Sequence, residues 1–409
     1  MIDFADLASS DLQVLLAATA ADTRPAQAGR RKLGGRSGPG NDGWISIPGR
    51  QEVHLTRSRP FTPWEGRIFE PYGTALNDLD GVPDVVARAA QADVLPRAIA
   101  VQLGGVRGSV VEGAIRFLLS AATSTYEGQS ISISLAVDLD QAPSSPTIGS
   151  LLDYQKFDWH AVLGSGAATA VLIDQEGGVV ELVDMSERMS AATVDPDALY
   201  PDAFRYLGLW AAASDRRIAL SLTRTRELLI QAGGSLRYVF RSGRWKSLPL
   251  DNAAGIGWGS GANISATVKK SVLASAIDAS LAHHGACLAV IARGHMKAFN
   301  LAGVVDTGDR WPANPRASLF NQTHFQNLSR RQRVELLSMD GATVLDKNGE
   351  ILAAGAIVKV PSGSSGGGRL AATQALAIYG AALKVSQDGP IRLFGADGLG
   401  GISEVINLA

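Results

Sequence analysis

Apolar and polar residues alternate along the chain with two different periods. Residues 1–22 carry apolar side chains spaced for one helical face, which predicts a helix there, and Val110–Ser124 is predicted to be a second helix. Residues 130–137 alternate with period two, as is typical of a half-buried strand. Segments of both kinds follow one another, so the pattern predicts an α/β fold class with mixed sheets flanked by helices.

Short turns between apolar runs predict two hairpins in the middle of the chain. Gly177-Gly178 separates the first pair of runs, and Ser242-Gly243 separates the second. Pro249 and the glycines of residues 255–261 follow and indicate a boundary. That glycine run does not have the spacing Gly-x-Gly-x-x-Gly and no buried strand precedes it, so we interpret it as a loop.

The chain is long for one domain, and its pattern suggests three segments. These are an N-terminal α/β region of residues 1–146, a middle α/β domain of residues 147–254 and a final domain of residues 255–409. Residues 24–42 are rich in Gly, Arg, Lys and Ser and are predicted to be a mobile basic loop. Its cluster Arg30-Arg31-Lys32 has two interpretations, a phosphate contact and a solvated linker, of which the linker is favoured.

Composition limits which cellular compartments and which binding partners are expected. Hydrophobic residues make up 46% of the 409 residues and aromatic residues only 6%, so closely packed strands and helices can bury a large core. The net charge of −1 gives no global attraction to nucleic acid or to an anionic membrane. Acidic residues follow Met1 and no apolar run approaches about 18 residues, which predicts neither export nor membrane spanning. The single cysteine, Cys287, is interpreted as a buried hydrophobe, which fits a reducing cytoplasm.

The residues with the clearest chemistry lie near the C-terminus. Asp340-Gly341-Ala342 joins a strand-like run, and Ser365-Gly366-Gly367-Gly368 precedes Arg369 and a predicted helix over Leu370–Tyr379. A carboxylate can hold a divalent metal against a triphosphate, and a glycine-rich loop before a helix offers N–H donors to phosphate. An arginine can neutralise the phosphate or bind it through two parallel hydrogen bonds. The alternatives are a turn-forming aspartate, a flexible surface loop and a solvated arginine.

The order and spacing of these elements resemble the diadenylate cyclase (DAC) domain family, which joins two ATP molecules into cyclic di-AMP. The family signature has Asp-Gly-Ala on a strand, then Arg-His-Arg-Ala-Ala opening a helix, and then a strand with Val-Ser. The matching segments here are Asp340–Ala342, Gly366–Ala372 and Val385–Ile391, and the resemblance reaches back to Lys270. It departs from the signature at the Arg-His-Arg triplet, which aligns with Gly368-Arg369-Leu370.

The resemblance implies that the final domain has a DAC-like fold with a glycine-rich nucleotide loop. It implies that Asp340 holds Mg²⁺ or Mn²⁺ and that Asp340 and Arg369 are catalytic. The positions implied to bind ATP, as substrate or ligand, are Gly341, Ala342, Ser365, Gly366, Gly367, Gly368 and Arg369.

Two hypotheses about function stay open. The first is a cyclase that condenses two ATP into cyclic di-AMP, and the retained Asp340 favours it. The second is a catalytically degenerate DAC-like sensor that binds a nucleotide and signals through the N-terminal region, and the missing histidine and arginine of the triplet favour it. The cyclase reaction further implies a homo-oligomer, because two nucleotides must meet.

Other polar clusters have ordinary structural interpretations. Asp138 and Asp140 form a candidate metal pair, but a polymerase-type nucleotidyltransferase needs a helix before their strand, so they are interpreted as residues that cap the strand. His283 and His284 are adjacent and point to opposite faces, which makes them poor partners for one metal. The arginine-rich run after His324 is predicted to be the exposed face of a helix.

Overall fold

The chain divides into two compact units. The computed structural model describes residues 4–408 apart from 17, 26–35, 38–41, 48–50, 58–59, 144–147, 158–161, 165, 249, 251–257, 259–262, 302, 312–314, 321–322, 361–366 and 397–400. Unit 1 comprises Met1–Thr193 and Phe204–Asp251, and unit 2 comprises Val194–Ala203 and Asn252–Ala409. The predicted boundaries at residues 146 and 254 both lie outside the described residues, as does the cluster Arg30-Arg31-Lys32.

The strands of unit 1 form one large sheet and smaller ones. They are β1 (Thr19–Pro25), β2 (Arg36–Ser37), β3 (Asp42–Ile47), β4 (Gln51–Thr56), β5 (Thr125–Tyr126), β6 (Gln129–Ser130), β7 (Ile133–Asp138), β8 (Ile148–Ser150), β9 (Thr169–Ile173), β10 (Gly178–Asp184), β11 (Arg217–Leu222), β12 (Leu228–Ala232), β13 (Ser235–Arg241) and β14 (Arg244–Ser247). The large sheet has the order β14-β13-β12-β11-β7-β9-β10-β8, and β1-β4-β3-β2 form a second, antiparallel sheet. Strands from both sides of residue 146 pair in the large sheet, so the structure joins the first two predicted segments in one unit.

The helices of unit 1 cover its sheets. They are α1 (Phe4–Leu16), α2 (Pro63–Gly66), α3 (Phe69–Asn77), α4 (Asp84–Gly104), α5 (Gly108–Ala121), α6 (Leu151–Tyr154), α7 (Met185–Arg188) and α8 (Arg205–Ala212). The prediction of one helix over residues 1–22 is wrong at its end, because the chain leaves α1 after Leu16 and pairs as β1 with β4. The predicted second helix is α5, and both predicted hairpins are present as β9–β10 and β13–β14.

β7 differs from the predicted half-buried strand, since all six of its residues are buried. Its Leu135 side belongs to the main core with residues of α4 and α5, and its Ala136 side packs with Trp210 and its neighbours in α8. On this second face Ser134 and Ser221 hydrogen-bond through their hydroxyls at 3.0 Å. The serine of the alternating pattern is therefore satisfied inside the protein and does not face water.

Unit 2 has a six-stranded mixed sheet and four described helices. Its strands are β15 (Ala286–Ile291), β16 (Ala342–Asp346), β17 (Ile351–Ala356), β18 (Gly380–Val385), β19 (Ile391–Ala396) and β20 (Ile402–Leu408), and its helices are α9 (Ala266–Leu281), α10 (Met296–Leu301), α11 (Arg330–Ser338) and α12 (Gly368–Ala377). The strand order is β17-β16-β15-β18-β19-β20, with β15 and β16 parallel and the other neighbours antiparallel. The amino ends of β15 and β16 therefore meet the carboxyl ends of β17 and β18 at one edge of the sheet. None of the helices described in either unit combines the length and the apolar character needed to cross a membrane.

The arginines of α11 correct the prediction of an exposed helical face. Arg330 is 6% exposed and Arg333 is fully buried. Arg330 donates to Asp278 at 2.7 Å, and Arg333 donates to Asp197 at 2.6 Å. Their remaining N–H groups donate to backbone carbonyls, so each buried guanidinium has a carboxylate and further acceptors.

Candidate functional site

Asp340 lies in the short connection between α11 and β16, at the amino end of β16. Its side chain is 94% exposed. One carboxylate oxygen accepts a hydrogen bond from the N–H of Gly341 at 3.1 Å, and the carboxylate otherwise faces water and the side chain of Arg369. The N–H of Gly341 therefore orients the carboxylate, which stays accessible to a ligand.

Gly341 holds Asp340 at this edge because it touches β17. It has φ +102°, and a Cβ atom there would lie 2.5 Å from the carbonyl carbon of Gly355 and 2.6 Å from the oxygen of Ala356. Only glycine fits such a backbone approach. The next residue, Ala342, is 1% exposed and pairs with Cys287 and Ala356 in the sheet. The motif Asp-Gly-Ala thus consists of an exposed carboxylate, a glycine that the backbone requires and a small core residue. A nucleotide contact by Gly341 or Ala342 stays a prediction.

Arg369 reaches the same edge from the first turn of α12. Its Nη2 lies 4.0 Å from the Oδ1 of Asp340, at the limit of an ion pair, and its side chain is 37% exposed. Its guanidinium rests on Gly285, where a Cβ atom would lie 2.7 Å from Nη1. The buried Nε of Arg369 has no hydrogen-bond partner among the described residues. Sequence reasoning missed Gly285, although its place just before the buried strand β15 was a usable signal.

The start of α12 presents backbone donors beside Arg369. Gly367 precedes the helix with φ +86°, and no side chain of a described residue caps the first turn. Gly367 and Gly368 are exposed, and the first N–H groups of α12 carry the positive end of the helix dipole. The predicted loop residues Ser365 and Gly366 lie outside the described residues.

The two adjacent histidines hold the loops around this edge. His283 has φ +54° at the end of α9, and its Nδ1 donates to the carbonyl of Gln387 at 3.0 Å. Ser338 donates its hydroxyl proton to Val334, so the Nδ1 of His284 donates to the Ser338 hydroxyl at 2.5 Å. The side chains diverge as expected, and each fixes one loop beside Asp340 or Arg369. We call Gly285, Asp340, Gly341, Arg369 and Gln387 together the polar edge.

The floor beneath Arg369 is closed by small side chains. Thr373 donates to the carbonyl of Arg369 at 2.7 Å, and its hydroxyl lies 3.3 Å from the sulfur of Cys287. Burial raises the pKa of the Cys287 thiol to about 11. A neutral buried thiol agrees with the interpretation of Cys287 as a small hydrophobe. Because these side chains close the site beneath Arg369, the polar edge is open on the side of Asp340.

Metal binding at the polar edge would depend on Asp340 and a ligand together. Among the described residues no group of three His, Cys, Asp or Glu side chains is placed to bind a metal ion. Mg²⁺ commonly takes one or two carboxylates and completes its shell with water and substrate phosphates. A single exposed carboxylate beside an arginine is compatible with that coordination, whereas a zinc site closed by protein ligands does not fit.

The alternative carboxylate pair in unit 1 is occupied by protein groups. Asp138 accepts from Arg217 at 3.0 Å and from the N–H of Asp140 at 3.1 Å. Asp140 lies 3.4 Å from the guanidinium of Arg216. Both carboxylates therefore stabilise the end of β7, in agreement with their interpretation as capping residues.

Comparisons with known proteins do not assign the chain to a family. No protein family model and no curated protein matches it. Among solved structures it is similar to a hypothetical membrane spanning protein from Bacillus cereus, with 19% identity over 33% of this chain and 61% of that chain, and a TM-score of 0.24. It is also similar to a double mutant of DacA from Staphylococcus aureus, with 16% identity over 34% of this chain and 86% of that chain, and a TM-score of 0.24. The chain spans less than two thirds of the Bacillus cereus protein, and at these TM-scores neither similarity carries an argument.

Proposed function

We propose that unit 2 binds an adenine nucleotide together with Mg²⁺ or Mn²⁺ at the polar edge. The observation that carries this proposal is the meeting of Asp340 and Arg369, which come from different elements and lie 4.0 Å apart on an open surface. By contrast, the buried pair of Arg333 with Asp197 is closed at 2.6 Å. Asp340 and Arg369 each keep a face free for a ligand.

The residues of the polar edge have complementary roles toward a metal-bound triphosphate. Arg369 donates to phosphate oxygens, and the first N–H groups of α12 bind a second phosphate group. Asp340 binds the metal ion, which when bound neutralises charge on the triphosphate. Gly285 and Gly341 set the positions of these two side chains through close backbone contacts.

The sharper form of the proposal is a diadenylate cyclase. Each 3′-hydroxyl of two ATP molecules attacks the α-phosphate of the other, which forms two 3′-O–P bonds, breaks two P–O bonds to the β-phosphates and releases two pyrophosphates and the two hydroxyl protons. One unit has one Asp340 and one Arg369, so two copies must bring their polar edges together. The DAC-like order of segments supports this form.

The second candidate is a sensor that binds the nucleotide without turnover. One observation favours it. Within Gly368-Arg369-Leu370, Leu370 packs against the core of unit 2 and Gly368 has no side chain. Arg369 is then the single charged side chain that the triplet offers to phosphates, which suits binding better than transition-state stabilisation.

Calorimetry with ATP in Mg²⁺ and in Mn²⁺ tests nucleotide binding. We expect Asp340→Asn to weaken binding of the metal–nucleotide complex, because it removes the charge and keeps the shape. Asp80→Asn, at an exposed carboxylate in unit 1, is the matched control and should bind as the parent does. Equal ATP affinity in Asp340→Asn and the parent would contradict the role of Asp340.

Chromatography after incubation with ATP and Mn²⁺ separates the cyclase from the sensor. A cyclase forms cyclic di-AMP with a specific activity that falls on dilution, because the active species contains two opposed polar edges. Binding without product supports the sensor. Cyclic dinucleotide made by a strict monomer at constant specific activity would contradict the two-copy mechanism.

A further inference from the structure

Unit 1 contains a cavity of about 940 Å³ that neither functional hypothesis uses. One wall is formed by α1, α4 and α5, and the opposite wall by the β11–β12 turn and the β13–β14 hairpin. Its volume lies within the range of about 300–1,000 Å³ that is typical of small-molecule sites. The cavity therefore has room for a ligand of ordinary metabolite size.

Five large apolar side chains line the cavity. Leu95, Leu119 and Val14 line it from the helices, and Phe240 and Trp245 line it from the hairpin. The rings of Phe240 and Trp245 pack with their centroids 5.2 Å apart, and Trp245 is buried, with 5% of its surface exposed. This wall suits an apolar or aromatic ligand body.

The carboxylates of the cavity are engaged by protein groups. Asp11 accepts a hydrogen bond at 2.7 Å from the hydroxyl of the buried Tyr72, and burial raises the pKa of Asp11. Asp93 lies 3.2 Å from the guanidinium of Arg116. Asp93 is therefore ion-paired, whereas the Tyr72 hydroxyl hydrogen-bonds Asp11 without neutralising its charge, so an anionic head group is expected at the opposite wall, away from Asp11.

Two arginines at the opposite wall keep their guanidinium groups available. Arg226 donates from Nε to Ser130 at 3.3 Å, which leaves its terminal nitrogens free to bind a ligand. The guanidinium of Arg244 has no hydrogen-bond or ion-pair partner in the part of the chain that the structure describes. Both are exposed, and the pairing of Leu228 with Phe240 and of Phe240 with Trp245 brings their turns to the same end of the sheet.

Arg226 stands at the left-handed position of the β11–β12 turn. Arg226 has φ +63°, a left-handed conformation that glycine adopts at lower cost than any side-chain-bearing residue. The N–H of Arg226 donates to the carbonyl of Thr223 at 2.9 Å and the N–H of Thr223 donates to that of Glu227 at 2.8 Å, so this conformation closes the β11–β12 hairpin. Arg226 lines the cavity at this turn.

We propose that this cavity binds a small organic anion with an apolar body. The body lies between the helices and the Phe240–Trp245 pair, and the anionic head group binds Arg226 and Arg244. A carboxylate and a phosphate share this chemistry, and the experiment distinguishes them. The site is independent of the polar edge of unit 2.

Two fluorescent dyes test the charge requirement. Anilinonaphthalene sulfonate has an aromatic body and an anionic head, and N-phenyl-1-naphthylamine has the same body without the charge. The double variant Arg226→Ala/Arg244→Ala should lower the affinity for the sulfonate dye about tenfold or more. Its affinity for the neutral dye should stay within about twofold of the parent's. Arg88→Ala, at an exposed arginine of α4 outside the cavity, is the matched control. Unchanged binding of the sulfonate dye by the double variant would overturn the proposal.

A second pair of variants tests the location. Ala92 is exposed and lines the cavity, whereas Ala89 is exposed on the same helix outside it. Ala92→Trp should reduce binding of both dyes by at least about tenfold, and Ala89→Trp should not change it. Circular dichroism verifies that both variants fold. Equal dye binding by these two variants would place the site elsewhere and overturn the proposal.

Displacement of the sulfonate dye identifies the head group. Octanoate and octyl phosphate carry the two anionic heads on one apolar chain, and octanol is the neutral reference. Displacement by either anion at a concentration at least tenfold below that of octanol supports the site, and the tighter of the two names its head group. Displacement by octanol at the same concentration as both anions would overturn the assignment of Arg226 and Arg244.

Discussion

Two helices of unit 2 begin with arginines that have opposite surroundings. In α11, Arg330 and Arg333 are buried, and each donates to a carboxylate at 2.6–2.7 Å and to backbone carbonyls. In α12, Arg369 is partly exposed, lies 4.0 Å from its carboxylate and leaves its buried Nε without a described partner. The sequence presents all three as basic residues in the first turn of a helix, so their type alone does not separate them.

The difference shows how the same chemistry stabilises a fold in one place and is available for binding in another. A buried guanidinium must have all its donors satisfied, because an unpaired buried charge is costly. Water reaches the exposed part of the Arg369 guanidinium, whereas its buried Nε stays without a described partner. The α11 pairs hold the segment Val194–Ala203 in unit 2 through Asp197 and the carbonyl of Ala198, whereas Arg369 makes no comparable contribution.

The largest expected effect is on stability at α11. Arg333→Ala leaves the carboxylate of Asp197, which is 12% exposed, without its guanidinium partner and should lower the free energy of unfolding by about 3–5 kcal/mol. Urea unfolding followed by circular dichroism measures it. Arg331→Ala, at the exposed neighbour, should change it by less than about 0.5 kcal/mol. Similar values for both variants would mean that the Arg333–Asp197 pair does not stabilise unit 2.

The next effect is on binding at α12. Arg369→Ala should weaken ATP binding by about 1.5–3 kcal/mol, because a charge-assisted contact to phosphate is lost, and should weaken adenosine binding less. Its free energy of unfolding should change by less than about 1 kcal/mol, since the Asp340 pair is exposed. Calorimetry with both ligands is the measurement. An equal loss for ATP and adenosine would assign Arg369 to the fold.

Gly285→Ala should produce a smaller loss at the same site. The added Cβ would meet the guanidinium of Arg369 at 2.7 Å, and that flexible end can move away at the expense of its position. ATP affinity should fall by about 1 kcal/mol in the parent and by nothing in the Arg369→Ala background. Gly294→Ala, where a Cβ meets nothing within 4 Å, is the control. Equal effects in both backgrounds would show that Gly285 does not act through Arg369.

The smallest effect concerns the thiol beneath Arg369. Burial raises the pKa of Cys287 to about 11 from an ordinary value of 9.0, so its contribution to stability is complete below about pH 9 and is lost as pH rises through about 11. Iodoacetamide should therefore label the native protein slowly at pH 8 and the urea-unfolded protein quickly. Cys287 is the one cysteine of the chain, so mass spectrometry reads it directly. Rapid native labelling would mean that the floor of the polar edge is open.

Local patterns in the sequence predicted much of the fold. The glycine turn at Gly177-Gly178 and the Ser242-Gly243 turn formed hairpins, because their backbone preferences act within a few residues. The helix over residues 1–22 was wrong at its end, since pairing of β1 with β4 outweighed helical spacing. Burial of both faces of β7 was also not predicted, because α8 comes from a distant part of the chain.

The candidate site likewise divides into features set by the local sequence and features set by long-range contacts. The sequence by itself determined that Asp340 follows a helix and precedes a strand, that glycine stands beside it, and that Arg369 opens a helix, because these are local properties. Tertiary structure alone decided that Arg369 meets Asp340, that Gly285 supports the guanidinium, and that Arg330 and Arg333 are buried. Those outcomes depend on strand order and on which partners reach a buried charge, and both are set by contacts between residues far apart in the chain.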